Sequence, residues 1–132
     1  MFVLPTPPPA IVEAAKLATP HAIEQDLLLA ISYVESKWDS EAIGAQGELG
    51  ALQLHPRFHN ISHLSEKQRF VYALGYLHAI RDLGQCGTMQ DLLDCYNRGP
   101  KKVLDKPGRK VYSKAVLEAL SALQDRRTHK PH

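Results

Sequence analysis

Apolar residues recur at helical intervals in five stretches of this chain, and turn-forming residues separate them. Pro8-Pro9 opens the first, a short helix predicted over Ala10 to Leu17. Thr19-Pro20 then reads as an N-cap followed by proline at the first helical position, where its missing N–H would have no partner anyway. From there Ile23, Leu27, Ala30, Ile31 and Val34 recur at steps of three and four, which predicts an amphipathic helix to about Lys37. Glu35 and Ser36 fall in its last turn, where a side chain inherits a fixed backbone position.

The pattern breaks between Asp39 and Pro56, where four glycines and prolines mix with polar residues, so turns or a small irregular sheet are expected. Ser65 with Gln68 forms a capping box for a long helix to about Asp82, with Phe70, Val71, Leu74, Leu77 and Ile80 inward. Gly84 stops it. Thr88 caps a further helix through about Tyr96, with Leu92 and Leu93 inside. Gly99-Pro100 ends that helix and begins a basic loop. The last helix runs from Arg109 to about Gln124, with Val111, Tyr112, Ala115, Val116, Ala119, Leu120 and Leu123 apolar. No internal repeat and no second domain is visible. The expected organisation is a proline-rich segment over 1–9, one domain over 10–124, and a basic, flexible tail over 125–132.

Length and composition narrow the class. A chain of 132 residues is one domain, able to bury roughly two thirds of its unfolded surface. Its net charge of +2 supplies no global field for nucleic acid. The basic residues are bunched late: Arg98, Lys101, Lys102, Lys106, Arg109 and Lys110, then Arg126, Arg127 and Lys130. They suit either an anionic polymer such as a cell wall or a solvated rim. The opening residues, with Pro5, Pro7, Pro8 and Pro9, do not form a secretory signal, and no run approaches a membrane span. Cys86 and Cys95 lack metal-site spacing. Two small buried thiols are the default expectation, and a disulfide the alternative in an oxidising compartment.

Three short motifs carry the chemistry. Glu35-Ser36 is followed by Gly47-Glu48-Leu49-Gly50-Ala51-Leu52-Gln53, and far downstream by Cys95-Tyr96-Asn97-Arg98-Gly99-Pro100. A carboxyl on a rigid helix, a glycine-bracketed turn ending in an amide, and a Tyr-Asn pair make a saccharide-cleaving set. Breaking a glycosidic bond requires protonating the leaving oxygen, and a carboxyl does so near neutral pH only if burial raises its pKa. Ile31, Tyr33 and Trp38 are the expected apolar surroundings of Glu35.

In order and spacing, these motifs resemble the catalytic domain of soluble lytic transglycosylases, in the goose-type-lysozyme-like superfamily. The usual run there is E-S, then G-x-x-G-L-M-Q, then A-Y-N-A-G-P. The resemblance spans about Ile11 to Leu120, nearly the whole chain, and fits a small phage-type member. It implies a mainly α, lysozyme-like fold of the α+β superfamily, a compact helical domain with a small irregular or β insertion after the acid helix. It implies cleavage of the β-1,4 bond between N-acetylmuramic acid and N-acetylglucosamine in peptidoglycan. In that mechanism one glutamate, here Glu35, acts as acid and then base, while the substrate's own acetamido oxygen attacks and a 1,6-anhydro end forms. By matching position, Ser36, Gln53, Tyr96, Asn97 and Tyr112 are the substrate-binding candidates. Tyr112 lies where the family often places a tyrosine bonded to the acid. For Tyr96 and Tyr112, packing is an equal alternative.

The departures are specific. Leu-Met has become Ala51-Leu52, predicting a smaller wall, and Cys95 and Arg98 replace two alanines. Glu48 stands where alanine is usual; with Asp39 and Glu41 it offers a second carboxylate, and a water activated there would make the enzyme a hydrolysing muramidase. A non-catalytic wall-binding module and a conjugation or secretion-system wall-remodelling protein are the further alternatives. His55, His59 and His63 are spaced by four, but Pro56 and the polar stretch after it argue for surface histidines over a metal site. No cofactor or metal is called for. The expected partners are peptidoglycan strands, met by Lys101, Lys102 and Arg109 in a groove, and other virion proteins; nucleic acid and a membrane span are not expected, and a monomer is. The expected place of action is the periplasm or cell wall, reached by way of a virion or phage-mediated release.

Overall fold

The computed structural model describes residues 3–105 and 110–128. Along these residues run six helices: α1 (Pro9–Ala18), α2 (Ala22–Ser36), α3 (Glu66–Arg81), α4 (Met89–Arg98), α5 (Pro100–Asp105) and α6 (Val111–Thr128). A 3₁₀ turn at Gly84–Cys86 joins α3 to α4. The mainly α architecture expected of a lysozyme-like domain is the one the chain adopts. Residues 39–64 form the insertion, whose only pairings among the described residues are the isolated antiparallel bridges Ile43–Leu49 and Leu49–Leu54.

Local chemistry sets the helix starts. The Ser65 hydroxyl accepts from the Gln68 N–H at 3.2 Å, while the Gln68 side-chain oxygen accepts from the Ser65 N–H at 2.9 Å. This reciprocal box opens α3 where the sequence marks it. Thr88 does the same for α4, accepting from the Asp91 N–H at 3.0 Å. At Thr19 the expectation fails. Helix α2 begins two residues later, at Ala22, because the Thr19 hydroxyl accepts from the His21 N–H at 3.1 Å and donates to Glu24 at 2.6 Å. Thr19 thus links the end of α1 to the start of α2.

Helix α2 is the centre of the molecule, packed on α6, α1 and α3. Every residue from Asp26 to Ser32 is buried, so an amphipathic stripe describes it poorly. Leu28 and Ile31 are fully enclosed, while Ile23, expected inward, is 64% exposed at the first turn. Each such enclosed aliphatic side chain stabilises the fold by about 1.5–3 kcal/mol. In α3 and α6 the expected inward Val71 and Val111 face solvent; Ala73 and Ser113 take the buried places. Gly99-Pro100 leads into the short helix α5 and not into a loop.

The ends of the chain are tied in. Helix α6 continues past Gln124 to Thr128, since Arg127 donates from Nε to the buried Asp26 carboxylate at 2.7 Å. A buried carboxylate left without such a partner would be costly. Arg126 donates to the Pro5 carbonyl at 2.9 Å, and Leu4 is buried beside it. Residues 125–128 of the expected tail are therefore helical; the rest of it lies outside the described residues. Cys86 and Cys95 are both buried and joined as a disulfide, fastening the 3₁₀ turn to α4, so the default of two free thiols is corrected. No helix among the described residues is long and apolar enough to cross a membrane.

Candidate active site

The site is built on the C-terminal end of α2. Lys37 and Trp38, which follow the helix, have φ of +55° and +64°, a left-handed pair without glycine. Such residues cost roughly 1–2 kcal/mol each, and strain of this kind collects at functional sites. The turn is held by Trp38, which is buried, donates from its indole N–H to the Leu29 carbonyl at 2.9 Å, and lies 4.8 Å from the Tyr33 ring. Glu35 is thereby fixed, half-buried, with its side chain turned toward α6.

There the Tyr112 hydroxyl donates to Glu35 Oε2 at 2.9 Å, joining residues 77 apart in sequence. Burial pushes the Glu35 carboxyl up to about 7; the Tyr112 bond pulls it down, and the nearby Glu48 charge pushes it up. Glu35 is thus largely protonated below neutrality, the state an acid catalyst needs. Tyr112 is held well above the ordinary tyrosine range by its own burial and by the Glu35 charge, so it remains a donor. Because its hydrogen bond favours the carboxylate, Tyr112→Phe should move the alkaline fall-off of activity upward by about half to one pH unit. A pH–rate profile matching the wild type would reduce Tyr112 to packing.

Opposite Glu35, the glycine turn is stapled from three helices. Ala51 is fully buried, and both of its backbone groups are taken by side chains: its carbonyl accepts from Ser36 at 2.8 Å, and its N–H donates to Glu66 at 3.2 Å. The Leu52 carbonyl accepts from Tyr96 at 3.3 Å. Gln53, at φ +50°, donates its amide to the Gly50 and Ala42 carbonyls at 2.9 and 3.3 Å. Gly50, at φ +77°, is packed so closely that a Cβ there would sit 2.6 Å from Glu66 Oε2. These bonds decide several roles. Ser36 also accepts from the Asp39 N–H at 3.0 Å, so its hydroxyl is committed to backbone and holds the turn. Ala51 and Leu52 face the core and form no groove wall. Gln53 braces the turn through its amide nitrogen, and its oxygen lies against Gly44.

A groove of about 730 Å³ runs from Glu48 and Gln53 past Tyr96 and the exposed Asn97 to Lys101 and Lys102. Glu35 is not among the residues that line this groove, but it is near enough to Glu48 and Tyr96, which are, for charge to be felt between them. Asp39 and Glu41 stay exposed; the Asp39 carboxylate accepts from the Glu41 N–H at 2.9 Å. Of the three extra carboxylates only Glu48 perturbs Glu35, and one of its oxygens accepts from the Gln46 N–H at 2.8 Å. Lys106 and Arg109 lie outside the described residues.

The histidines do not converge. His55 accepts from the Arg57 N–H at 3.2 Å, His63 is exposed, and His59 is bonded to the Tyr72 hydroxyl at 2.7 Å. Among the described residues no group of three histidine, cysteine or acidic side chains could hold a metal ion. Glu66 carries no motif signal: it reads as the first residue after a helix cap, and only the fold brings it under Gly50. Burial raises its pKa above the usual carboxylate range. Phe58, Tyr72 and Tyr76 on the groove are likewise spread through a turn and a helix that sequence spacing does not link to Glu35.

The family model for the transglycosylase SLT domain matches residues 13–116, a span that takes in Glu35, the glycine turn, Tyr96-Asn97 and Tyr112. Compared with curated proteins and with solved structures, the chain has no match.

Proposed function

The chain belongs to the transglycosylase SLT domain family, and from that premise we propose that it cleaves the N-acetylmuramic acid–N-acetylglucosamine β-1,4 bond of peptidoglycan with Glu35 as its single acid and base. One observation carries the reading. Burial pushes the Glu35 carboxyl up to about 7, and the Tyr112 hydroxyl, bonded to it at 2.9 Å, fixes its orientation.

In the first step Glu35 gives its proton to the bridging oxygen as the bond to the anomeric carbon breaks. The acetamido oxygen of the same sugar supplies the new bond to that carbon, which is a recognised alternative to a protein nucleophile. In the second step the Glu35 carboxylate takes the proton of the 6-hydroxyl, whose oxygen displaces the acetamido oxygen and closes a 1,6-anhydro ring. The proton returns to Glu35, and no water is consumed. Asn97, exposed on the groove, offers an amide donor and acceptor to the bound sugar, and the Gln53 oxygen offers an acceptor.

A second reading keeps the same acid and adds Glu48 as a base that activates water. It draws support from the Glu48 charge reaching Glu35. The two differ by one water in the product. Mass spectrometry of digested peptidoglycan is expected to show 1,6-anhydro ends; reducing ends formed with added water would replace the first reading with the second. Undigested sacculi would point to a wall-binding module without catalysis.

A further inference from the structure

Cys86 and Cys95 are the only cysteines of the chain, and both are fully buried. Their bridge fastens the 3₁₀ turn to α4 directly ahead of Tyr96-Asn97. Among the described residues, little else holds that turn. Of residues 83–87 only Cys86 is buried, and Gly84 and Gly87 loosen the backbone on either side of it. The Gln85 amide donates to the Pro100 carbonyl at a long 3.3 Å. Helix α4 reaches the glycine turn through the Tyr96 hydroxyl, 3.3 Å from the Leu52 carbonyl, and presents Asn97 to the groove. Its seat also carries a cost. Asp94 is 3% exposed; its Oδ2 faces Arg98 at 3.8 Å, while its Oδ1 has no hydrogen-bond partner among the described residues. A buried acceptor without a partner favours any shift that admits water.

Resting on the proposed function, we infer that the Cys86–Cys95 bridge is a redox gate, which holds Tyr96 and Asn97 in their binding positions when formed and releases them when reduced. A covalent link across a short loop restricts the opened chain far more than one neutral hydrogen bond does. With the link cut, Cys95 offers only a weak S–H donor to the Gln85 carbonyl, 3.6 Å away. The glycine-flanked turn then lifts from α4, and a shift of α4 that hydrates Asp94 is favoured. Closing the gate is a thiol–disulfide exchange. The two protons and two electrons of the Cys86 and Cys95 thiols pass to a small-molecule or protein disulfide, which leaves as two thiols while one S–S bond forms here. The enzyme is thereby weak in a reducing compartment and fully active in an oxidising one.

The test compares the oxidised protein with the same protein reduced by a dithiol and with Cys86→Ala, which cannot form the bond. Amide hydrogen exchange over α4 should quicken by about ten-fold or more in both open forms, while α2 keeps its protection. Digestion of sacculi should need about five- to ten-fold more substrate for half its maximal rate, with that maximal rate changed by less than about two-fold. The alkaline fall-off should stay in place, because Glu35 and Tyr112 lie on α2 and α6. A general loosening of the fold would move it. Unchanged α4 exchange or unchanged half-saturation in the reduced protein overturns the gate, and so does a bridge that no dithiol opens short of denaturation. Should Cys86→Ala fail to fold, the reduced protein decides. Failure of the catalytic reading looks different: no form would digest sacculi, and α4 exchange alone would then confirm or reject the release of the helix.

Discussion

Replacing Glu35 with glutamine should lower peptidoglycan solubilisation by about a thousand-fold or more, with the fold retained. Glutamine keeps the size of the side chain and still accepts from Tyr112, but it has no proton to give. The same substitution changes stability in a direction that pH reveals. Burial places the folded Glu35 pKa near 7, above the ordinary 4.5. Between those two values the folded state binds more protons than the unfolded chain, so this residue's contribution is most favourable at or below pH 4.5 and is lost as pH rises to 7. Glutamine lacks that penalty. The variant should therefore match the wild type in acid and exceed it at pH 8 by about 1–3 kcal/mol in urea denaturation. Retained turnover would end the single-acid mechanism; equal stability at both pH values would mean that Glu35 is not desolvated.

Gly50→Ala should be the most damaging single change in the insertion. Alanine at φ +77° pays the left-handed penalty of about 1 kcal/mol, and its Cβ would also meet the Glu66 carboxylate at 2.6 Å. Glu66 cannot withdraw freely, because it holds the Ala51 N–H at 3.2 Å and stands 3.9 Å from Arg69. Releasing that clamp exposes a buried N–H, so a total loss of about 2–4 kcal/mol is expected, with activity falling alongside. Gly47 provides the control. Its φ is +88°, yet a Cβ there would meet nothing within 4 Å, so Gly47→Ala should show the strain alone. Equal losses in the two variants would show that the Glu66 clamp adds nothing.

Much of this arrangement is local and therefore readable along the chain. The capping box at Ser65 and Gln68 and the Thr88 cap appear where the residues place them, because capping involves partners three positions apart. Helix α2 up to Glu35-Ser36 is equally plain. What the pattern misses depends on neighbours distant in sequence. The stripe on α2 includes Ile23, which is exposed because it lies in the first turn, ahead of the stretch from Asp26 to Ser32 that the neighbouring helices cover. The path of the basic segment after Gly99 and the extension of α6 follow from anchors elsewhere, such as Arg127 on Asp26. At the site, motif order indicates Glu35 and the turn, and the resemblance points to the Tyr112 bond that holds Glu35, but nothing along the chain shows what staples the turn. Ser36 is a motif residue whose bond to the Ala51 carbonyl appears only in the fold, and Glu66 gives no sign until α3 is folded beneath Gly50.

Trp38 is the sole tryptophan of the chain. Its indole is bonded to Leu29 and flanked by Tyr33, and the small cleft it shares with Glu66 lies behind the stapled turn. Emission excited selectively in tryptophan therefore has a single source, three residues from Glu35. Movement of the C-terminal end of α2 becomes visible as a colour change, with no label attached.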